Sequence, residues 1–207
     1  MSARSVALAA SLVLALSIGT GCSQPQPVAS NAVPPPVQAD TKPVVWAALG
    51  GDETLAFDQA STPGSWTQRV LSRLPVSAQL LNVATEDATL QVGGMSQLNA
   101  LAASPVKPTV ATVWFGSAEP NTSKSQFVAG LTTLVNGLED LGVQRVVLVS
   151  RPDGPGDRGY RYGAEIKSVA AATGATAIEV TALANNPGDP AAQPSIADQL
   201  APTISGG

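Results

Sequence analysis

The sequence predicts an α/β protein whose ordered part is one doubly wound domain around a parallel sheet of five strands. Two observations predict it. Short continuous apolar runs, typical of strands covered on both faces, alternate along the chain with segments that have helical spacing. The alternating part, residues 44–207, has about 160 residues, which is sufficient for one domain with a full core.

The first strand and helix set the pattern for the others. Residues 44–49 are apolar throughout, and residues 65–74 carry apolar side chains at helical spacing after Ser65, a favoured N-cap residue. Further strands are predicted at residues 79–84, 109–115, 143–149 and 175–180, and further helices at residues 96–103, 125–141, 162–173 and 194–204. Gly142 ends the longest helix, and Pro194 starts the last. We expect the flavodoxin-like strand order 2-1-3-4-5, which places a site outside the carboxyl ends of strands 1 and 3.

The N-terminal part has the composition of an export signal followed by a linker. Residues 1–21 combine Arg4, an apolar run too short to span a membrane comfortably and a small-residue end, which predicts a signal peptide. The run Ile18-Gly19-Thr20-Gly21-Cys22 resembles the bacterial lipobox, with Gly19 in place of the usual leucine or valine. The resemblance implies cleavage before Cys22 and acylation of that cysteine, palmitate included; an ordinary signal peptide with a chance cysteine is the alternative. Residues 22–43, rich in proline, alanine, glutamine and serine, are then expected to be a lipidated, disordered tether.

Composition excludes several classes of function. The chain has 11 Lys and Arg against 15 Asp and Glu and no basic cluster, which argues against nucleic acid as a partner. It has no histidine, which excludes a histidine general base, a Ser-His-Asp triad and histidine zinc ligands from this chain. Cys22 is the single cysteine, so no intrachain disulfide can form. We predict no cofactor. Because anionic lipid repels an acidic surface, the membrane is expected as a partner only through the lipid anchor at Cys22.

Five carboxylates follow the first three predicted strands. They are Asp52, Glu53, Glu86, Asp87 and Glu119, here called the acidic rim. Because the carboxyl ends of parallel strands meet at one edge of a sheet, we expect them to lie together, with no Lys or Arg beside them in the sequence. Neighbouring carboxylates share protons or bind a cation, although the sequence identifies no metal. Plain solvation on polar loops is the alternative, and we favour it.

Residues 44–205 resemble the SGNH (GDSL-type) hydrolases in blocks that occur in the right order. The first strand ends in Gly51-Asp52-Glu53, where that family has Gly-Asp-Ser. Residues 82–89 (Asn-Val-Ala-Thr-Glu-Asp-Ala-Thr) stand where the family has Asn-x-Gly-x-x-Gly-Ala-Thr, and residues 116–119 (Gly-Ser-Ala-Glu) where it has Gly-x-Asn-Asp. Gln193-Pro194 stands in place of the final His-Pro, and Asp189 lies one residue too early for the family's aspartate.

The resemblance also implies that the residues of acyl transfer are all replaced. Glu53 stands at the position of the serine nucleophile and Gln193 at that of the histidine base. Asp87 and Ala118 stand at the positions of the oxyanion glycine and asparagine. A carboxylate cannot replace the serine by the same route, and Asp87 would place negative charge where an oxyanion must be stabilised.

These observations predict an exported, catalytically degenerate SGNH hydrolase-like lipoprotein. It would be lipid-anchored to the outer face of the bacterial cytoplasmic membrane or to the cell envelope, and would bind or scaffold an envelope protein, lipid or glycan. The alternative is a hydrolase of envelope esters or glycans with a rebuilt carboxylate or metal site. A true hydrolase with shifted blocks is a third interpretation, against which the absence of histidine argues. Residues 150–162, rich in Arg and Tyr, are interpreted as an exposed connection, with a recognition surface as the alternative.

Overall fold

The computed structural model describes residues 43–56, 64–119, 121–152, 161–181 and 189–206. The predicted signal peptide, the predicted lipidation site Cys22 and all of the predicted tether except Pro43 lie outside these residues. None of the helices in the described ranges combines the length and the apolar character that a membrane crossing requires.

Strands and helices alternate along the described chain. The strands are β1 Val45–Gly50, β2 Gln79–Asn82, β3 Val110–Trp114, β4 Arg145–Ser150 and β5 Thr176–Glu179. The helices are α1 Asp52–Leu55, α2 Trp66–Leu71, α3 Met95–Ala103, α4 Lys124–Asp140, α5 Gly163–Thr173 and α6 Gln193–Ser205. A π-helical segment, Leu90–Gly94, runs directly into α3. Neither the short helix α1 nor the π-helical segment was predicted, whereas the five strands and helices α2 to α6 are confirmed with ends that differ by a few residues.

The strands form one parallel sheet in the order β2-β1-β3-β4-β5, which confirms the predicted order. β1 and β3, in the middle of the sheet, are buried along their whole length, while the edge strands β2 and β5 are partly exposed. Gly50 pairs with Trp114 in the β1–β3 register. The carboxyl ends of β1 and β3 therefore lie side by side, where the sequence predicted the site.

Both faces of the sheet carry a hydrophobic core. Along β1 the side chains alternate: Ala47 and Leu49 pack with α4 and α5, and Trp46 and Ala48 pack with α2 and α6. The buried face of α4 is the one that its spacing predicts, consisting of Phe127, Leu131, Leu134, Val135 and Leu138. Each such buried side chain contributes about 1.5–3 kcal/mol relative to full exposure. The strands whose ends form the site are therefore held by well-packed cores on both faces of the sheet.

Side-chain caps explain where two of the helices begin. Ser65 accepts a hydrogen bond from the Gln68 amide at the start of α2, as its N-cap position predicts. Ser123 forms a capping box at the start of α4, in which Ser123 Oγ accepts from the Gln126 amide and the Gln126 side chain accepts from the Ser123 amide. Because caps satisfy N–H groups that lack intrahelical partners, these serines set the helix starts locally.

Candidate active site

The end of β1 is held by a buried glutamine from α3. Gln97, whose exposed fraction is 2%, accepts a hydrogen bond from the Gly50 amide at 2.9 Å and donates one to the Gly50 carbonyl at 2.8 Å. Gly50 has a φ of 149°, and a Cβ atom there would lie 2.2 Å from both Thr54 Oγ1 and the Trp114 carbonyl oxygen. Only glycine therefore fits where the chain turns from β1 into α1.

Two residues of the acidic rim meet above this turn. The Asp87 amide donates a hydrogen bond to Asp52 Oδ1 at 3.1 Å. Asp87 has a φ of 50°, in the left-handed region that favours glycine. Asp52 is half-buried, and Glu86 and Asp87 are exposed, so these three carboxylates lie on the solvent side of the strand ends. The prediction that rim residues share one edge is confirmed for Asp52 and Asp87.

Glu53 turns inward instead. Its side chain is fully buried, and its Oε2 accepts a hydrogen bond from Ser117 Oγ at 2.6 Å. The Glu53 carbonyl accepts a further hydrogen bond from Trp66 Nε1 at 2.9 Å. The favoured interpretation of a solvated side chain is wrong for Glu53. Since α1 begins at Asp52, Glu53 lies in a helical turn that directs it toward the segment after β3 rather than on an open loop.

Glu119 is also fully buried, so the solvated interpretation is wrong for it too. Its carboxylate accepts hydrogen bonds from the Leu90 amide and, at 2.9 Å, from Thr122 Oγ1. Leu90 begins the π-helical segment before α3, and its amide is one of the N–H groups that a helix start leaves unpaired. The Glu119 carboxylate thus caps that segment from a distant part of the chain. Arg161, which is distant in the sequence, donates through Nη2 to the Glu119 backbone carbonyl at 3.1 Å.

Gln193, the first residue of α6, ties that helix to the start of α2. It is fully buried; its Oε1 accepts from the Trp66 amide at 2.9 Å, and its Nε2 donates to the Asp189 carbonyl at 3.3 Å. The Trp66 ring lies between those of Trp46 and Trp114, with centroid separations of 5.8 and 5.9 Å. Gln193 therefore supports a packed tryptophan cluster and not an open cleft.

An open groove of about 460 Å³ lies beside Asp87. It is lined by residues 85–89, Val92, Gly93 and Ser96, and the Val92 side chain is 75% exposed. The described residues include the whole acidic rim, and among them no three Asp, Glu, His or Cys side chains are grouped so that they could hold a metal ion.

The described part of the connection after β4 is only partly the exposed loop that was expected, because Pro152 and Arg161 are exposed but two other residues are not. Arg151 and Tyr162 are both buried. Tyr162 stacks on Phe127 with ring centroids 4.0 Å apart, and its hydroxyl donates to the Thr122 carbonyl at 2.7 Å. Residues 153–160 lie outside the described part of the chain. Tyr162 and Arg151 therefore belong to the core around the strand ends and not to a solvent-facing surface.

Comparison with solved structures finds several proteins that share this fold. A member of the lipolytic G-D-S-L family from Veillonella parvula superposes with a TM-score of 0.63 at 12% identity, covering 76% of this chain and 96% of that one. The psychrotrophic esterase EstA from a Pseudoalteromonas species gives 0.63 at 18% identity, covering 78% and 97%. AlinE4, an SGNH-hydrolase family esterase, gives 0.54 at 18% identity, covering 67% and 76%. The fold is that of the SGNH hydrolases.

No protein-family profile and no curated protein sequence matches this chain. The likeness is thus one of SGNH architecture, carried by the parallel sheet and its order. The expected architecture is confirmed by these neighbours, while the correspondence of individual catalytic positions stays a prediction from the sequence blocks.

The four positions that the sequence blocks match to the SGNH catalytic set are occupied as follows. Glu53 is bonded to Ser117, and Gln193 to the Trp66 amide. The Asp87 amide is bonded to Asp52, and Ala118 has no polar side-chain atom. Glu53 and Gln193 are therefore both buried and hydrogen-bonded within the domain.

Sequence reasoning missed three residues that shape this site. Gln97, Ser117 and Thr122 hold Gly50, Glu53 and Glu119, respectively. Gln97 is one of three polar residues on the short helix α3, with Ser96 and Asn99, so the sequence alone does not single it out. The sequence gives no signal for Ser117 and Thr122 either, because their hydrogen-bond partners are set by the tertiary fold.

The backbone of Asp87 leads to a stability prediction. Asp87→Ala should have a free energy of unfolding about 1 kcal/mol lower than Asp87→Gly, because an L-residue with a Cβ is strained in the left-handed region. Urea denaturation of both variants measures the difference. The same pair at Glu86 is the control: among the described non-glycine residues only Ala56 and Asp87 have positive φ, so at Glu86 alanine should be the more stable. The same order at both positions would contradict the prediction.

Proposed function

We propose that this chain is a non-catalytic envelope lipoprotein that uses the SGNH scaffold to bind or hold a partner. The observation that carries the proposal is the burial and hydrogen bonding of the Glu53 carboxylate. In the sequence blocks, Glu53 stands where the SGNH family has its nucleophile. Its carboxylate is fully buried and accepts a hydrogen bond from Ser117 at 2.6 Å. A group held in this way is an internal structural contact.

The chemistry of acyl transfer supports the same conclusion. The reaction needs an activated nucleophile, a general base and donors aimed at the developing oxyanion. The chain contains no histidine to serve as base. At the corresponding oxyanion position, the Asp87 amide already donates to the Asp52 carboxylate, which also places negative charge there. An arrangement of this kind disfavours the transition state that the family stabilises.

We therefore expect no esterase activity. The full chain, purified in mild detergent, should hydrolyse p-nitrophenyl acetate and butyrate no faster than the detergent blank. An active SGNH esterase assayed in parallel shows that the detergent permits turnover. Turnover above the blank that Asp52→Asn abolishes would contradict the proposal and support the rebuilt carboxylate site, because Asp52 is the half-buried rim residue next to Asp87.

The location we propose is the outer face of the cytoplasmic membrane or the cell envelope, with anchoring through acylated Cys22. The lipobox-like run before the single cysteine supports it. Two or more acyl chains provide stable attachment, whereas a single chain does not. The partner in this proposal is an envelope protein, lipid or glycan.

Anchoring leads to a labelling prediction. When the chain is expressed in a bacterium supplied with labelled palmitate, the label should be incorporated, and Cys22→Ala should reduce it to background because no other cysteine is available. Ser23→Ala, one residue further on, is the matched control and should keep the label. Full labelling of the Cys22→Ala variant would exclude this anchor.

A further inference from the structure

A small cavity at the strand ends is not used by the function proposed above. Its volume is about 10 Å³, and it lies at the carboxyl ends of β3 and β4 against the start of α5. Gly116, Ser150, Tyr162 and Gly163 are among its lining residues. The cavity is therefore separate from the groove beside Asp87, which residues of the segment between β2 and α3 line.

Ser150, the last residue of β4, is the polar group that the cavity leaves unsatisfied. Its exposed fraction is 3%, and its hydroxyl oxygen has no hydrogen-bond partner among the residues that the structure describes. Because side chains alternate along a strand, Ser150 shares a face with Val146 and Leu148. Those residues pack in the same core cluster as Ile166, which also lines the cavity. The side chain is thus on the side of the sheet where the cavity lies.

The volume of the cavity limits which ligand can fit into it. About 10–15 Å³ is the volume that one water molecule needs, and a carboxylate or phosphate group needs more. A buried hydroxyl without a partner is destabilising by roughly 1–3 kcal/mol, so native proteins satisfy such groups with protein atoms or ordered water. The hydroxyl of Tyr162 is already engaged by donating to the Thr122 carbonyl, which leaves Ser150 as the side-chain hydroxyl available to a ligand here.

We propose that this cavity is a binding site for one ordered water molecule, held by Ser150 Oγ. Gly116 lines the same cavity and directly precedes Ser117, whose hydroxyl donates to the buried Glu53 carboxylate. The water joins the end of β4 to the segment after β3 and so helps to position the Ser117–Glu53 contact. Ser150 acts here as a positioning residue whose effect passes through the bound water.

Water–amide cross-relaxation in the full chain, in deuterated detergent, tests the site directly. We expect cross-peaks between water and the amide protons of Gly116 and Gly163, and the loss of these cross-peaks in Ser150→Ala. Ser205→Ala is the control: Ser205 is exposed at the end of α6, so this change should leave the cross-peaks in place. Absence of the cross-peaks in the unmodified chain, or their persistence in Ser150→Ala, would overturn the proposal.

Thermal unfolding of the same variants distinguishes a water-filled cavity from an empty one, because the two predict opposite changes in Tm. If Ser150 binds water, Ser150→Ala removes a satisfied hydrogen bond, and Tm should fall by about 2–4 °C. If the hydroxyl had no partner at all, alanine would remove an unfavourable buried group, and Tm would rise. A rise in Ser150→Ala, with Ser205→Ala unchanged, would therefore also overturn the proposal.

Discussion

Gly50→Ala should be the most damaging single substitution in the sheet, lowering the free energy of unfolding by about 4 kcal/mol or more. The added Cβ would lie 2.2 Å from Thr54 Oγ1 and from the Trp114 carbonyl oxygen. The threonine could rotate, but the carbonyl belongs to the backbone of β3 and cannot move without disturbing the middle of the sheet. Chemical denaturation monitored by circular dichroism measures the loss, and a folded variant of unchanged stability would contradict this account of the β1–α1 turn.

Gly142→Ala is the matched control for this experiment. Gly142 also has a positive φ, 89°, but a Cβ there would meet no atom within 4 Å. Its replacement therefore incurs only the backbone strain of the left-handed region, about 1–2 kcal/mol. The difference between the two variants isolates the contribution of the close approach between β1 and β3.

Glu119→Ala should lower the free energy of unfolding by about 3 kcal/mol. The substitution removes the acceptor for the Leu90 amide and for Thr122 Oγ1, and hydrogen bonds to a charged group contribute about 1.5–3 kcal/mol each. It also leaves the start of the π-helical segment without this cap. The loss is measurable by urea denaturation, and a change below about 0.5 kcal/mol would show that Glu119 is not a structural cap.

Two further variants define the origin of that loss. Glu119→Gln keeps the shape of the side chain and an acceptor for the Leu90 amide, so it should be less destabilising than alanine. Glu139→Ala removes an exposed carboxylate from α4 and should change stability by no more than about 0.5 kcal/mol. If Glu119→Gln and Glu119→Ala were equally damaging, the negative charge and not the hydrogen bonding would be the stabilising property.

The secondary structure and sheet order could be predicted because they follow from local properties. The continuous apolar run of β1 reflects a strand covered on both faces, and the spacing of Phe127, Leu131 and Leu134 defines the buried face of α4. Right-handed connections of alternating strands and helices limit the strand order to a few topologies, of which the flavodoxin-like order is a common one. Helix α1 was missed because it is only one turn long and contains two acidic residues where a loop was expected.

The burial of individual acidic-rim residues could not be predicted from the local sequence. All five carboxylates follow strands in the sequence and were expected to behave alike. The structure separates them: Asp52, Glu86 and Asp87 remain at the surface, and Glu53 and Glu119 are buried. The difference depends on Ser117, which is 64 residues from Glu53, and on Leu90, which is 29 residues from Glu119. Periodicity is judged over short sequence windows, and these contain only one of the two hydrogen-bonded residues in each case.

The sequence by itself determined the α/β architecture and the absence of any histidine. Its resemblance to the SGNH blocks also predicts carboxylates and a glutamine at the positions of that family's catalytic groups. These are consequences of composition and of short-range patterning. Only the tertiary structure decided what these side chains do. Glu53 and Gln193 became internal hydrogen-bonding residues because folding placed the Ser117 hydroxyl and the Trp66 amide within reach. A buried polar group must find a partner, and the partner is set by the packing of strands and helices that are far apart in the chain.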